Sequence, residues 1–415
     1  MAGGLALFWG AALAVAKRAG RTGAAEPLVF ATCWMIAEGL RGIVLTGFPW
    51  AQPGYSLVDI PPIQIAAYLG INGVTFLALL TGAFLGVVLV GETMARRVVC
   101  GILAVGIGSG TWALGAARLA EPVAPRAVPL WVGMVQPNVP QTEKWHPDLR
   151  DAQLADLLEK TRSLSDRGAD VVIWPEAATP FPIAEMPDLR AAIAERLQPG
   201  GVLLAGGIRV EGRGTSEQRV HNSLLAIGGD GALLAAYDKQ HLVPFGEYVP
   251  FDTVLTRIGI RSVISLPGGF APGLSQDRAL RIGTLPLLGA MICYEAIFPH
   301  EVLDRNAEVD WMVHVTNDAW FGRIAGPQQH LAQTRVRAIE RGVPIARAAN
   351  TGITAMIGAN GQVLTKVELG NPGTLLDLLP SPASSTLYSR YEEFGFVILI
   401  LSVLTIIAPI SRISM

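Results

Sequence analysis

Long stretches without charge at both ends of this 415-residue chain enclose a charged, mixed middle, and that division limits what it can fold into. Apolar runs cover about 3–16, 28–46, 63–92 and 98–115, and a last one runs from Phe394 to Ile410. Spanning the hydrocarbon of a bilayer takes roughly 20 apolar residues, with about 17 as the lower limit, so each run is a candidate transmembrane helix. The third contains Gly70, Asn72 and Gly73 and reads as one long or broken span. With 51% hydrophobic residues and a mean hydropathy of +0.41, the chain is too apolar for an ordinary soluble enzyme. It is also too long to be a membrane bundle alone. A helical membrane part, 1–120 together with 390–412, and a separate domain over 127–380 are expected.

Charge placement gives the helices a direction. Lys17, Arg18 and Arg21, then Arg96 and Arg97, and finally Arg412 flank the runs, while the turn from Gly47 to Tyr55 carries no basic residue. Because Lys and Arg concentrate on the cytoplasmic side, these clusters face the cytoplasm and the middle domain faces the opposite side, the periplasm of a Gram-negative cell. The expected location is a bacterial cytoplasmic (inner) membrane, crossed several times. Glu38 and Arg41 fall inside the second run at i and i+3, where an internal ion pair fits somewhat better than a direct substrate role. The opening Met1-Ala-Gly-Gly-Leu5 lacks the charged n-region of a signal peptide.

The remaining composition excludes several classes. A net charge of −2, without a Lys/Arg cluster of the kind that binds nucleic acid, argues against nucleic acid as a partner. The three cysteines, Cys33, Cys100 and Cys293, make no disulfide framework or zinc spacing. The six histidines contain no His-Glu-x-x-His pair, so no metal site is expected.

Glu121-Pro-Val-Ala-Pro-Arg-Ala-Val-Pro129 reads as a linker into the middle domain, and Asn371-Pro-Gly to Ser381-Pro-Ala-Ser-Ser385 as its exit. Between them, β-rich runs at 130–135, 171–174, 202–209, 223–228, 286–293, 311–316, 345–349, 353–358 and 363–368 alternate with helix-like stretches near 148–165, 187–197 and 328–342. Hairpin and crossover spacings both occur, so an α/β fold with a mixed sheet is expected.

Three residues in this domain make a chemistry when taken together. Glu176 follows Val171-Val-Ile-Trp-Pro, Lys239 sits in Tyr237-Asp-Lys-Gln-His-Leu-Val-Pro-Phe-Gly-Glu247, and Cys293 ends Leu288-Gly-Ala-Met-Ile-Cys. A free thiol with a pKa near ~8.5 is mostly protonated at neutral pH and needs a base to become a nucleophile. Glu176 suits the base, and Lys239 with the Tyr294 N–H suits the oxyanion. The product is an acyl-cysteine thioester, which an amine resolves to an amide without ATP. Thr316-Asn-Asp-Ala-Trp-Phe-Gly322 would add polar groups near the same sheet edge. Taken singly, each residue has a plainer reading: an inert buried cysteine, a solvated loop carboxylate, a surface lysine. His241 and His330 read as structural hydrogen-bonders.

These stretches resemble the nitrilase superfamily, whose members use Glu, Lys and Cys in that chain order on a four-layer α-β-β-α sandwich. The resemblance is closer to its membrane branch, apolipoprotein N-acyltransferase, in which a nitrilase-like domain is inserted between transmembrane helices. It is carried by Glu38-Gly-Leu-Arg-Gly42, Thr46-Gly-Phe-Pro-Trp50, Val135-Gln-Pro-Asn-Val-Pro-Gln141 with Lys144-Trp145, Trp174-Pro-Glu176, and His241-Leu-Val-Pro-Phe-Gly-Glu-Tyr-Val-Pro250. Further on, Ile292-Cys-Tyr-Glu295, Asn317-Asp-Ala-Trp-Phe-Gly322, Gly326-Pro-Gln-Gln-His330 and Asn350-Thr-Gly-Ile-Thr-Ala355 match as well.

The resemblance implies Glu176 as general base, Lys239 as stabiliser of the intermediate and Cys293 as nucleophile. Glu247, Tyr294 and Glu295 fall on supporting positions, Trp145 on a substrate-region tryptophan, and Asn317 beside the site. The implied reaction is ping-pong and needs no cofactor. A phospholipid, typically phosphatidylethanolamine, acylates Cys293 from its sn-1 position. The thioester then acylates the α-amine of a diacylglyceryl-cysteine at the N-terminus of an apolipoprotein. An apolar, lipid-filled cleft would keep water from the thioester. The segment 250–273, rich in Val, Ile, Leu and Gly, is expected to be either a mobile apolar arm or a packed loop. The resemblance also implies about three further transmembrane helices ahead of the helix at 3–16. Two other readings stand beside this one: a membrane-tethered amidase, disfavoured by the motifs around Glu247 and Asn317, and a non-catalytic membrane scaffold, disfavoured by the retained Glu, Lys and Cys.

Overall fold

The computed structural model describes residues 2–19, 25–250, 269–274, 278–303 and 307–410. The arm expected over 250–273 lies outside the described residues between 251 and 268.

Four helices come first: α1 (Ala2–Arg18), α2 (Ala25–Arg41), α3 (Ala66–Val90) and α4 (Met94–Leu119). The last, α9 (Phe394–Ile410), packs on α2 and α3. Among the described residues, Pro61–Val90 and Met94–Leu119 are long and apolar enough to cross a membrane. The second apolar run, expected to 46, stops as a helix at Arg41. Its end has a local cause. Leu45, Thr46 and Gly47 take positive φ in succession, and the chain doubles back so that Phe48 N donates to the Arg41 carbonyl at 2.8 Å. The broken third span is also seen. Gly70 takes φ 65°, where a Cβ would lie 2.4 Å from the Tyr388 ring, so only glycine fits. The break frees the Ile71 N–H, which donates to Glu340 Oε1 at 2.8 Å.

The middle of the chain forms two six-stranded sheets. The first runs β12-β1-β2-β3-β4-β5, built from β1 (Trp131–Gln136), β2 (Val171–Trp174), β3 (Val202–Glu211), β4 (Arg219–Gly228), β5 (Leu233–Asp238) and β12 (Gly373–Leu378). The second runs β11-β10-β9-β8-β7-β6, from β6 (Ala279–Leu280), β7 (Leu288–Ile292), β8 (Trp311–Thr316), β9 (Ile345–Ala349), β10 (Thr354–Ile357) and β11 (Val363–Val367). In each sheet three strands are parallel, β1-β2-β3 and β7-β8-β9, and the rest antiparallel. The mixed sheet expected from the connection lengths is therefore present twice.

Strand alternation sorts the side chains into layers. Val171 and Ile173 of β2 face Leu288, Ala290 and Ile292 of β7 in a core between the sheets, while Val172 and Trp174 point outward. The outward set packs on α5 (Arg150–Asp166) and α6 (Pro187–Ala194) through Leu157, Leu164 and Ile193. On the other side, Met291, Met312 and Ile345 pack on α7 (Gly326–Arg341) through Leu331 and Ala338. The result is the four-layer α-β-β-α sandwich. A short α8 (Leu387–Tyr391) leads to α9.

Three strands escaped the sequence reading: β5, the two-residue β6 and β12. β5 begins with exposed Leu233 and Leu234 and has no clean alternation. β12 falls inside the expected exit, yet its Leu375 enters the central core and the strand pairs antiparallel with β1 from Trp131↔Leu378 to Gln136↔Gly373. Asn371-Pro-Gly373 is thus a turn into the last strand, not the end of the domain.

Candidate active site

Strand ends deliver the expected residues to one place. Glu176 follows β2, Lys239 follows β5, Cys293 follows β7 and Asn317 follows β8, so the site draws on both sheets. Cys293 begins a single 3-10 turn, Cys293–Ile297, at φ 49°. That left-handed conformation costs a non-glycine residue roughly 1–3 kcal/mol and persists only where the surroundings fix it. Here it turns the chain sharply off β7, leaving the Tyr294 N–H in the first turn, where no intrahelical partner reaches it.

The polar groups above Cys293 form a closed set. Lys239 Nζ lies 2.9 Å from Glu247 Oε2 and 3.4 Å from Glu176 Oε1. Asn222 Nδ2 donates to both carboxylates, at 2.7 Å to Glu176 Oε1 and 3.0 Å to Glu247 Oε1. Glu176 Oε2 accepts the Asn317 backbone N–H at 2.8 Å and, among the described partners, keeps a lone pair free. Burial pulls the Lys239 ammonium down, but the carboxylates of Glu247 and Glu176 outweigh it and hold it above its usual value. Burial and the Glu176 carboxylate push the Cys293 thiol up; Lys239 and a hydrogen bond with Thr316 pull the other way. The thiol is therefore protonated at neutral pH.

The supporting residues separate into distinct tasks. Glu295, fully buried, lies beneath the turn: Oε2 accepts from Ile292 N at 2.8 Å, and Oε1 from Gln240 N at 2.8 Å and Tyr237 Oη at 2.7 Å. It ties the loop of Lys239 to the turn of Cys293. Tyr294 donates its hydroxyl to the Gly47 carbonyl at 3.1 Å, and its ring packs with Phe298 against Phe48 and Trp50. Asn317 uses its side chain on Gln141 and Asn350, at 2.8 and 3.0 Å. Trp145 is 43% exposed. Phe245, Trp320 and Ile324 are exposed apolar side chains on the segments that carry Glu247 and follow Asn317.

Several participants had no role in the sequence reading. Asn222 bridges the two carboxylates, yet an asparagine inside an apolar strand gives no local signal. Lys144, quoted only within a motif, is buried and donates to the Glu176 carbonyl at 3.0 Å. Burial pulls its ammonium down to about 8, against the opposing pull of Glu176 and Cys293. His314 and His330 both approach the Cys293 carbonyl oxygen, at 3.2 and 3.1 Å. No cluster of metal-binding side chains occurs among the described residues.

A model of the carbon-nitrogen hydrolase family matches residues 132–381, and one of the apolipoprotein N-acyltransferase N-terminal domain matches residues 1–84. The apolipoprotein N-acyltransferase of Rhodopseudomonas palustris is 37% identical over 97% of this chain and 77% of that protein. That of Bradyrhizobium diazoefficiens is 38% identical over 95% of this chain and 75% of its own. The chain belongs to the apolipoprotein N-acyltransferase family. It is accordingly an enzyme of the nitrilase superfamily, with the carbon-nitrogen hydrolase domain that the sandwich represents. Among solved structures, an amidase from Nesterenkonia sp. is 20% identical, with a TM-score of 0.44, over 63% of this chain and 94% of that one. Within the family's terms, the segment that packs on Tyr294 comes from the part of the chain matched by the N-terminal model.

Proposed function

We propose that the chain moves a fatty acyl group from a membrane phospholipid to Cys293, and from there to the N-terminal α-amine of a diacylglyceryl-cysteine apolipoprotein. The observation that carries this is the convergence of Glu176, Lys239 and Cys293, on a turn whose Tyr294 and Phe298 pack against Phe48 and Trp50 from the apolar-helix part of the chain. A charged centre on segments with exposed apolar side chains suits an ester whose tails stay in the bilayer.

The chemistry follows from the donors in place. Glu176 takes the Cys293 proton as Sγ attacks the ester carbonyl. Lys239 and the Tyr294 N–H stabilise the oxyanion, a type of contribution worth roughly 10²–10³ in rate per donor. Collapse expels the lysophospholipid alkoxide, which takes the proton back from Glu176. The incoming α-amine then attacks the thioester, its proton passes to Glu176, and the thiolate leaves and is reprotonated. The Lys and Arg distribution orients the helices with the sandwich on the periplasmic side of the inner membrane.

Intact-protein mass spectrometry after incubation with phosphatidylethanolamine tests this. A fatty-acyl mass increase, absent from Cys293→Ala and discharged by a diacylated lipopeptide, is expected. Discharge by water alone at the same rate would make the chain an amidase-like hydrolase, and no adduct on folded protein would remove the transferase reading.

A further inference from the structure

Against the Cys293 carbonyl lies a fully buried polar cluster: His314, Thr316, Asp318, His330, Thr334 and Arg347. Burying so many polar groups is costly unless each is paired. The outward face of β8 places His314 against α7, since its neighbours Val313 and Val315 turn into the central core. On α7, His330 and Thr334 stand one turn apart and meet it.

Hydrogen-bond partners fix the proton on His314. Arg347 Nη1 lies 2.8 Å from His314 Nδ1, and a guanidinium only donates, so Nδ1 is the bare nitrogen. Burial and the Arg347 charge keep the ring neutral. The single proton is therefore on Nε2, which points at the Cys293 carbonyl oxygen 3.2 Å away. Arg347 is itself held by Asp318 Oδ2 at 2.6 Å, the Ile353 carbonyl at 3.2 Å and Thr334 Oγ1 at 3.0 Å. His330 approaches the same carbonyl at 3.1 Å, with Asp318 Oδ1 2.9 Å from its other nitrogen. Burial and the Arg347 charge outweigh Asp318 and hold this ring below its usual value, so at neutral pH it carries one proton for the two oxygens.

The Cys293 carbonyl and the Tyr294 N–H belong to one peptide unit. Resonance couples them: a donor on the oxygen draws electron density from the nitrogen and makes its N–H a stronger donor. Such coupling strengthens successive hydrogen bonds by about 10–30% each. We propose that His314 is a positioning residue that polarises the Cys293–Tyr294 peptide through its carbonyl, strengthening the Tyr294 N–H toward the oxyanion and holding Cys293 at its left-handed φ. The inference rests on the reading of Cys293 as the acylated nucleophile.

The test uses the full chain in phosphatidylethanolamine mixed micelles, with His314→Leu and His314→Gln. Gln carries an amide nitrogen near the Nε2 position. Acylation in the Leu variant is expected to slow on the order of tenfold, a fraction of what loss of a whole oxyanion donor costs. The loss should fall on kcat with KM for the phospholipid unchanged, and Gln should restore most of it. With a carbonyl-labelled acyl chain, the thioester C=O stretch of the acyl-enzyme should move to higher frequency in Leu and return toward wild type in Gln. Wild-type rate and frequency in Leu, or equal loss in both variants at unchanged frequency, would overturn the proposal. Should both variants fail to fold, nitrogen-15 spectra of histidine-labelled wild type decide it, and a proton on His314 Nδ1 would sink the idea. Absence of any acyl adduct in wild type would instead count against the function proposed above, while leaving the tautomer measurement valid.

Discussion

Tyr294 donates its hydroxyl to the Gly47 carbonyl at 3.1 Å, so the residue after Cys293 is fastened to the segment between α2 and α3. That segment is held in turn from within the apolar helices. Arg41 pairs with Glu38 and donates to the Phe48 carbonyl, while Trp9 and Trp34 donate to Glu38 Oε1 at 2.8 and 3.1 Å. The Tyr294→Phe variant leaves the buried Gly47 carbonyl without this donor, a loss of about 1–3 kcal/mol. Expected are a lower thermal midpoint and slower acylation with Cys293 still present, read by unfolding in detergent and by adduct formation. Unchanged values for both would show that the fastening has no functional weight.

Replacing Glu176 with Gln keeps the volume and the contact with Asn317 but removes the proton acceptor. Acyl-enzyme formation should fall by roughly 10²–10⁴, the usual contribution of a positioned base. Stopped-time mass spectrometry measures it, and a near-normal rate would assign the base elsewhere.

Lys144 supplies the pH dependence. The cleft holds two carboxylates, Glu176 and Glu247, against two ammonium groups, Lys239 and Lys144, around the neutral thiol. Lys144 is charged below about 8 and loses its proton above it, leaving the cleft one charge more negative. Acylation should therefore decline as pH rises through about 8. In Lys144→Arg the guanidinium stays charged, so that decline should shift to higher pH. A pH profile of acylation with the same limb in Lys144→Arg would dissociate this residue from it.

Gly206 tests positioning without touching a functional group. A Cβ there would stand 2.3 Å from the Pro175 carbonyl oxygen and 2.7 Å from Glu176 Cα. Gly206→Ala must push the Glu176 backbone aside, and misplacement on that scale costs on the order of 10² in rate. Acylation kinetics alongside circular dichroism separate this from unfolding, and wild-type activity would mean that the backbone yields elsewhere.

How far the sequence could be read depended on whether the signal was local. The parallel strands β2 and β8 are short apolar runs bounded by polar residues, and their limits, Val171–Trp174 and Trp311–Thr316, were legible to the residue. β12 was not, because proline and glycine beside it mimic a domain exit and its partner β1 lies more than 230 residues earlier. At the site, Glu176, Lys239 and Cys293 stood out through their flanking motifs, whereas Asn222, Lys144 and His314 acquire meaning only through what they touch. His330 was read as a structural hydrogen-bonder, and its partners include the Cys293 carbonyl and Asp318. Composition carries no trace of such a network, since its members come from β8, α7, β9 and the turns after β7 and β8 and meet only in the assembled fold.

The apolar patch of Tyr294, Ile297 and Phe298 has its other half in Phe48 and Trp50. Anyone wishing to excise the sandwich as a free-standing catalyst would strip that patch bare. Water would then meet aromatic rings on the very turn that carries the thiol, inviting self-association and loosening Cys293 at once. A portable version would need the residues from Gly47 to Trp50 grafted back on, or Tyr294 and Phe298 redesigned for solvent.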